Sequence, residues 1–432
     1  MPLSASPTRL RRRPLGRYRY TRLRWRVVFA VVDFVGTMVA SGLGMLRRGL
    51  KWLGWSLAGP ERDEDPRVIL LVQLDHLGDG IISTVMLPAL RRRYPAASIE
   101  MLVGEWNREL FEAVPEVDRV HVSRVNRFAR GNRFGWLLAT LWWGWKLRSR
   151  KVDLAIDVRG EFPLALVLWL CGARRRLGWD AGGGGFLLTD SPRYVPNRPE
   201  AESRLALLAE LGIRPDDEPW RPVVQPSEEA RRRAGQWWDY LREKTPANGP
   251  RIVIHVGAGT EAKRWPAEHW RELLGWMIVQ LRAQVVLVGS KADRIIARHI
   301  LGPQPCEGVA DWTGQLCLVE LAAVLERADL MVGADSGPAH LAAAVGAPVV
   351  ALFSGTNNPR QWQPSGESVC VVRHEVSCSP CHREQCPLAD HPCMAELRPE
   401  QVAKAVEQVI SSSVGKESDD DRSVASQRDG NR

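Results

Sequence analysis

Short apolar runs that end in glycine- or aspartate-rich loops occur in two series along the chain, with helical patterns between them. In the first series Val68–Leu74 ends in the loop Asp75–Gly80, and in the second Arg251–Val256 ends in Gly257–Gly259. Strands that alternate with helices predict a mostly parallel sheet covered on both faces, because parallel strands need crossover connections. The sequence therefore predicts an α/β protein built from two similar halves.

The remaining elements follow the same alternation. Further strands are predicted at 98–103, 119–122 and 152–158 in the first half and at 284–288, 330–333 and 348–353 in the second. Helical patterns occupy 81–94, 136–145 and 227–243, and another begins near 268. The pattern at 136–145 is apolar on nearly all sides, which predicts a buried helix, with a membrane contact as the alternative.

Composition and charge narrow the class of protein. The 432 residues are 45% hydrophobic and 25% charged, which is typical of a globular protein of two or three domains and excludes a mostly disordered chain. The net charge is +9, but residues 1–60 hold twelve Lys and Arg and one acidic residue, Asp33, so the rest of the chain carries −2. Because the basic residues are confined to one end, without an RNA-binding motif, we predict no nucleic-acid partner.

The N-terminal segment combines this charge with an apolar run, Val27–Leu46. The run is long enough to cross a bilayer, but it contains Asp33 and has basic residues on both flanks. Positive flanks with nearby tryptophans favour a segment that lies on an anionic membrane surface. A spanning helix, or a basic tail followed by a helix packed on the body, stay open as alternatives.

The loops with reactive side chains all follow predicted strands, so they should meet at a cleft between the halves. Asp79 stands between two glycines at the start of a helix, where it would serve as a helix cap or as a catalytic base. Ala334–Pro338 opens a helix whose free N–H groups suit an anion, and Lys263 can neutralise a phosphate. Neither glycine-rich loop has the Walker A or dinucleotide spacing, which argues against ATP hydrolysis and nicotinamide chemistry.

Five of the eight cysteines fall within Cys370–Cys393, which indicates a local cluster in a reducing compartment rather than a disulfide scaffold. Four of them could hold one tetrahedral metal ion, with Cys370 and His391 as substitute ligands. Such a site would be structural, because protein ligands would fill every position. Reduced buried thiols or disulfides are the alternative. The four proposed ligands are Cys378, Cys381, Cys386 and Cys393.

Taken together, these motifs resemble glycosyltransferase family 9, which includes the heptosyltransferases of lipopolysaccharide core assembly. The matching segments are 68–88 with its Leu-Gly-Asp, 255–265, and 333–353 with Asp-Ser-Gly-Pro-Ala-His. The resemblance covers roughly residues 66–412 and implies a GT-B fold, in which two Rossmann-like domains face each other across a cleft. The implied organisation is an N-terminal extension (1–65), an acceptor domain (66–220), a connection (221–250), a donor domain with its Cys-rich segment 370–393 (251–412) and a disordered tail (413–432).

The resemblance also implies roles for single residues. Asp79 would be the general base, Lys263 would contact the donor diphosphate and Asp335 would face the transferred sugar. Asp293 falls where the family usually has a glutamate that binds the ribose. Some core heptosyltransferases have hydroxyl side chains at the positions of Ala258 and Gly259. The implied donor-binding residues are Ala258, Gly259, Lys263, Asp293, Leu316, Asp335, Ser336, Gly337 and His340.

The resemblance implies an inverting glycosyltransferase that needs no cofactor for catalysis. We expect it to transfer heptose from ADP-heptose to a lipid-linked glycan of the lipopolysaccharide core, at the inner face of the cytoplasmic membrane. A similar Cys-rich segment in some relatives resembles a zinc or iron knuckle, which makes zinc or iron the expected metal of the cysteine cluster. The alternatives are transfer of a different sugar to a surface glycan, and a catalytically silent nucleotide-binding membrane scaffold.

Overall fold

A computed structural model describes residues 23–52, 65–125, 133–214, 221–244, 248–303 and 307–412. The basic residues before position 23, the segment predicted to be a disordered tail and Cys306 lie outside these ranges. Two wholly parallel sheets form the frame of the molecule, as the alternating pattern predicts.

The first sheet has five strands in the order β3-β2-β1-β4-β5, so the chain reverses its winding direction beside β1. Its register pairs Val68 with Ser98 on one side of β1 and Ile69 with Leu154 on the other. The strands are β1 (Val68–Gln73), β2 (Ser98–Gly104), β3 (Arg119–Ser123), β4 (Leu154–Asp157) and β5 (Arg175–Gly178).

The second sheet has six strands in the order β11-β10-β9-β6-β7-β8, with the reversal between β6 and β9. Reactive loops are expected at such a reversal, where neighbouring connections run to opposite faces of the sheet. The strands are β6 (Arg251–His255), β7 (Gln284–Val288), β8 (Val309–Asp311), β9 (Leu330–Ala334), β10 (Val349–Phe353) and β11 (Val369–Arg373).

Helices cover both faces of each sheet. In the N-terminal half they are α1 (Leu23–Trp52), α2 (Leu77–Ser83), α3 (Met86–Arg93), α4 (Arg108–Glu112), α5 (Arg133–Leu147), α6 (Phe162–Leu170) and α7 (Glu200–Leu208). The others are α8 (Glu228–Lys244), α9 (Ala267–Leu281), α10 (Arg294–Leu301), α11 (Leu318–Glu326), α12 (Gly337–Ala344), α13 (Pro359–Trp362), α14 (Pro392–Ala395) and α15 (399–412).

All eight strands predicted from the sequence are present, and β5, β8 and β11 are further strands that were not predicted. The single helix predicted at 81–94 is two helices, α2 and α3, because Thr84 and Val85 interrupt it. The prediction that 136–145 forms a buried helix is wrong. The helix exists as α5, but Trp142 and Trp145 are exposed although Trp143 is buried.

The two sheets share a continuous hydrophobic core. One buried cluster contains Ile69 and Leu71 of β1 together with Val253 of β6 and Met331 of β9. The polar helix α8, predicted as part of the connection, packs against α11 through an ion pair between Arg231 and Glu326 at 2.8 Å. The halves are therefore held together by apolar packing as well as by their connection.

Helix α1 contains the whole apolar run 27–46 and packs on the N-terminal half. Asp33 is buried, and its Oδ1 accepts a hydrogen bond from the backbone N–H of Gly184 at 2.7 Å. Among the helices that the structure describes, none combines the length and the apolar character needed to cross a bilayer.

Candidate active site between the two domains

Asp79 lies in the first turn of α2, directly after the carboxyl end of β1. His76 precedes the helix, and no side chain caps its first N–H groups. The carboxylate of Asp79 instead pairs with Arg159, whose Nη1 is 2.9 Å from Oδ1, and with Arg204, whose Nη2 is 3.5 Å away. A helix-capping role therefore does not account for this side chain, which is only 7% exposed.

Two further carboxylates surround Asp79. Asp75 Oδ2 lies 2.9 Å from Arg159 Nε, and Glu200 accepts a hydrogen bond from Arg204 at 2.7 Å. Burial, followed by the negative charge of Asp75, raises the pKa of Asp79 to about 7, although Arg159 and Arg204 act in the opposite direction. A carboxylate with a pKa near neutrality is suited to take up a proton during a reaction.

Arg159 is held in the site by a tight loop after β4. The buried carboxylate of Asp157 accepts hydrogen bonds from the backbone N–H groups of Arg159, Gly160 and Glu161 at 2.8–3.0 Å. Gly160 has φ +74, a conformation that side chains with a Cβ disfavour. The loop therefore fixes the direction in which the Arg159 side chain leaves the backbone.

On the other side of the cleft, Lys263 and Asp335 form an ion pair, with Nζ 2.7 Å from Oδ2. Lys263 ends the short turn after β6, and Asp335 follows β9. Asn357 donates a second hydrogen bond to the same carboxylate oxygen at 2.7 Å. A diphosphate arriving here would compete with Asp335 for the ammonium group of Lys263.

Ser336 and Gly337 form the beginning of α12, where unpaired backbone N–H groups are available to an anion. The Ser336 hydroxyl donates to the carbonyl of Ala334 at 3.0 Å and lies 3.2 Å from His255 Nδ1. Burial lowers the pKa of both His255 and His340 to about 4, so both rings are neutral at pH 7. His340 can thus support the loop without adding charge.

The first turns of α2 and α12 touch each other, and two glycines allow this close approach. A Cβ on Gly78 would lie 3.1 Å from the ring of His340, and a Cβ on Gly337 would lie 2.9 Å from Leu77. Side chains at these positions would force the helices apart. The contact brings the turn that carries Asp79 against the proposed phosphate-binding loop.

The segment 354–363 connects the two sets of polar residues. Asn357 binds Asp335, as described above, and Gln361 of α13 donates to Glu200 Oε1 at 2.7 Å. The guanidinium carbon of Arg159 lies 5.9 Å from the ring centroid of Trp362. One segment of the C-terminal half therefore contacts both the network that holds Asp79 and the ion-pair partner of Lys263, Asp335.

The remaining predicted donor residues line the same edge of the second sheet. Asp293 accepts from the N–H and the hydroxyl of Ser290, and a Cβ on Gly257 would lie only 2.7 Å from its carboxylate. Open space surrounds the position of a Cβ on Gly259, which leaves room for a ligand beside it and Ala258. Leu316 is half-buried against the core, with part of its side chain accessible.

The four cysteines proposed as metal ligands line one cavity of about 160 Å³, together with His391. All seven described cysteines are reduced, and burial raises the pKa of the Cys393 thiol. Within the part of the chain that the structure describes, no three His, Cys, Asp or Glu side chains are close enough together to hold a metal ion. The donor atoms suit zinc or iron, but their present arrangement is not a ligand shell.

Several residues of the site were not identified from the sequence. Asp75 and Arg159 follow β1 and β4, so the rule that reactive loops lie at the carboxyl ends of strands could have identified them. Arg204 and Glu200 lie on α7, and Gln361 lies on α13. No local pattern marks these helical residues, because they reach Asp79 only through the tertiary fold.

Comparison with known proteins gives a consistent result. The family model of "Glycosyltransferase family 9 (heptosyltransferase)" matches residues 143–391. The lipooligosaccharide heptosyltransferase 2 of Haemophilus ducreyi is 27% identical over 317 residues, which cover 71% of this chain and 88% of that protein.

Two solved structures show the same architecture. A family 9 glycosyl transferase from Veillonella parvula superposes with a TM-score of 0.68 at 23% identity, over 82% of this chain and 100% of its own. The E. coli ADP-heptose lipopolysaccharide heptosyltransferase II superposes with a TM-score of 0.63 at 24% identity, over 80% of this chain and 98% of its own. The prediction of a GT-B fold with two Rossmann-like domains is confirmed.

Proposed function

Because the chain belongs to glycosyltransferase family 9 and is therefore a glycosyltransferase, we propose that it transfers heptose from ADP-heptose to the lipopolysaccharide core or a related lipid-linked glycan. The heptosyltransferase names of its relatives support this donor and acceptor class. We further propose that the transfer inverts the anomeric centre, needs no catalytic metal and takes place at the inner face of the cytoplasmic membrane.

In the proposed reaction Asp79 accepts the proton of the acceptor hydroxyl. The oxygen of that hydroxyl at the same time forms a bond to the anomeric carbon of the heptose. The bond between that carbon and the diphosphate oxygen breaks, and ADP leaves with the electron pair. Lys263 and the N–H groups at the start of α12 stabilise the negative charge that develops on the diphosphate. Attack opposite to the leaving group inverts the configuration.

The observation that carries the proposal is the contact between the first turns of α2 and α12. It places the turn that carries Asp79, a buried carboxylate with a pKa of about 7, against the loop proposed to bind the diphosphate. A base must lie within hydrogen-bond reach of its proton, and a leaving group needs positive potential on its far side. The arrangement therefore supports a base on one side of the cleft and a leaving-group site on the other.

Incubation of the purified protein with a panel of nucleotide sugars and a heptose-deficient core acceptor tests the proposal. We expect ADP-heptose to add one heptose mass to the acceptor without added metal and in the presence of a chelator. Transfer of a hexose instead would support the alternative donor, and an unchanged acceptor with every donor would support the silent scaffold. NMR of the product establishes whether the anomeric configuration is inverted.

The pKa of Asp79 predicts the acid limb of the pH profile. Because the base must be deprotonated, kcat/KM should fall about tenfold per pH unit below about pH 7. Asp75→Asn removes a charge that raises this pKa, so we expect the limb to move to lower pH by about one unit. Arg159→Gln removes a charge that lowers it, so the limb should move to higher pH by a similar amount.

Opposite shifts would identify Asp79 as the titrating group and Asp75 and Arg159 as positioning residues. Loss of activity at every pH without a shift in either variant would instead mean that these residues act only on folding. The conservative variant Arg159→Lys keeps the charge, and it should leave the limb closer to that of the wild type than Arg159→Gln does.

We propose further that the cysteine segment binds zinc or iron in a structural role, because four thiols surround one cavity. Protein purified without chelator should contain about one equivalent of metal. The variant Cys378→Ser/Cys381→Ser should lose the metal and several degrees of Tm while it keeps kcat, whereas Cys317→Ser, outside the segment, should keep both. Less than about a tenth of an equivalent in the wild type would contradict the metal site.

A further inference from the structure

Along residues 27–39 of α1, all the large side chains that are exposed are apolar. These side chains are 45–68% exposed and recur every three or four residues, so they form one stripe along the helix. A contiguous apolar surface of this kind marks a place where another apolar medium covers the protein. The residues of the stripe are Val27, Val28, Val31, Phe34, Val35, Met38 and Val39.

The opposite face of α1 fixes the helix to the acceptor domain. Asp33, the one acidic residue of α1, points away from the stripe and is 3% exposed, with Gly184 as its hydrogen-bond donor. The ring of Phe29 lies 6.1 Å from that of Phe162, at the start of α6. The stripe is therefore held in a defined orientation, and its outer surface carries no acidic group.

Helix α5 adds a second exposed apolar surface to the same domain. It packs closely along α6, where Gly144 leaves no room for a Cβ beside Leu170. Both α6 and α1 pack on the turn Gly185–Leu187, so α6 lies beside α1 as well as beside α5. The exposed side chains of the second surface are Leu137, Leu138, Leu141, Trp142 and Trp145 of α5 and Trp169 of α6.

Basic residues border both surfaces. Lys146 lies on α5 with its ammonium group 4.6 Å from the ring centroid of Trp142, and Arg148 and Lys151 follow it as exposed residues. Arg24 is exposed at the beginning of α1. Tryptophan and lysine side chains combine an apolar body with a polar end, which suits the boundary between acyl chains and headgroups.

We infer that α1, α5 and Trp169 form one docking face that inserts shallowly into an anionic lipid bilayer and holds the acceptor domain on it. The positive border is complementary to anionic headgroups, whereas a second copy of the chain would bring like charges together around the apolar centre. The inference deepens the proposed function and rests on it for the lipid-linked acceptor, which would reach the cleft from this bilayer.

Flotation of the full-length protein with vesicles of phosphatidylcholine, with or without phosphatidylglycerol, tests the inference. We expect binding that phosphatidylglycerol strengthens and that persists in part at high salt. The variants Val31→Glu/Val35→Glu on α1 and Leu141→Glu/Trp145→Glu on α5 should each reduce binding at high salt by about tenfold or more, since each places two charges in the acyl region. Val279→Glu/Ile295→Glu, at exposed apolar positions of the donor domain, should bind like the wild type.

Complete release of the wild type by salt would overturn the inference, because the basic N-terminal residues alone would then account for binding. Wild-type binding by the α5 variant would overturn the joint face. A change in oligomeric state with unchanged vesicle binding would assign the face to contacts between copies. Far-UV circular dichroism of each variant verifies that the fold is intact, and transfer to a delipidated core acceptor reports separately on the proposed function.

Discussion

Asp79→Asn should abolish glycosyl transfer while donor binding stays close to that of the wild type. The carboxylate lies in the N-terminal domain and pairs with Arg159 and Arg204, whereas the proposed diphosphate ligands lie across the cleft. Loss of a general base typically lowers the rate by about 10²–10⁴-fold. Turnover with ADP-heptose and the affinity for ADP, measured by calorimetry on the same preparation, test both halves of the expectation.

Asp118→Asn provides the matched control for this variant. Asp118 also belongs to the N-terminal domain and pairs with an arginine, Arg91, at 2.6 Å, but it lies on the surface near the beginning of β3. We expect near-normal turnover from this control. Turnover of Asp79→Asn within a few-fold of the wild type would contradict the role of Asp79 as the base.

Lys263→Ala should weaken the binding of ADP and of ADP-heptose by about 10–100-fold. The substitution removes a charge-assisted contact to the diphosphate, which is worth about 1.5–3 kcal/mol. It also leaves the carboxylate of Asp335 without its cation, so that this negative charge faces the incoming phosphates. Calorimetric Kd values for the wild type and the variant measure the effect.

Lys263→Arg keeps the charge, and we expect it to restore a large part of the affinity. Lys404→Ala, at an exposed lysine on α15, should leave the affinity unchanged. Undiminished ADP binding by Lys263→Ala would mean that the diphosphate is held elsewhere, and the assignment of the donor loop would then be wrong.

The strands and the loops that follow them could be predicted because both are local features of the sequence. Val68–Val72 is a continuous apolar run, and the Asp and Gly residues that follow from Asp75 identify a turn at the carboxyl end of a strand. Such loops contain Asp79, Lys263 and Asp335, so local patterns were sufficient to single out these positions, whereas their roles were predicted from the resemblance to glycosyltransferase family 9.

The side chains that support Asp79 could not be predicted in the same way. Arg204 and Glu200 are charged residues of an ordinary helix, and only the packing of α7 against α2 brings them to the site. The exposure of α5 was missed for a related reason. Apolar residues on all sides predict burial in protein, but the sequence does not distinguish a protein core from another apolar environment.

The close approach of Gly78 to His340 and of Gly337 to Leu77 limits how such enzymes can be recombined. A chimera that joins this N-terminal half to the C-terminal half of a relative would keep the contact only if Leu77 and Gly78 met residues of matching size. Because the two sheets also share buried apolar residues, a seam cut between them would expose core on both pieces. Exchange of the nucleotide that is recognised should therefore succeed more readily by grafting the loops after β7 and β8, which carry Asp293 and Leu316, than by swapping whole halves.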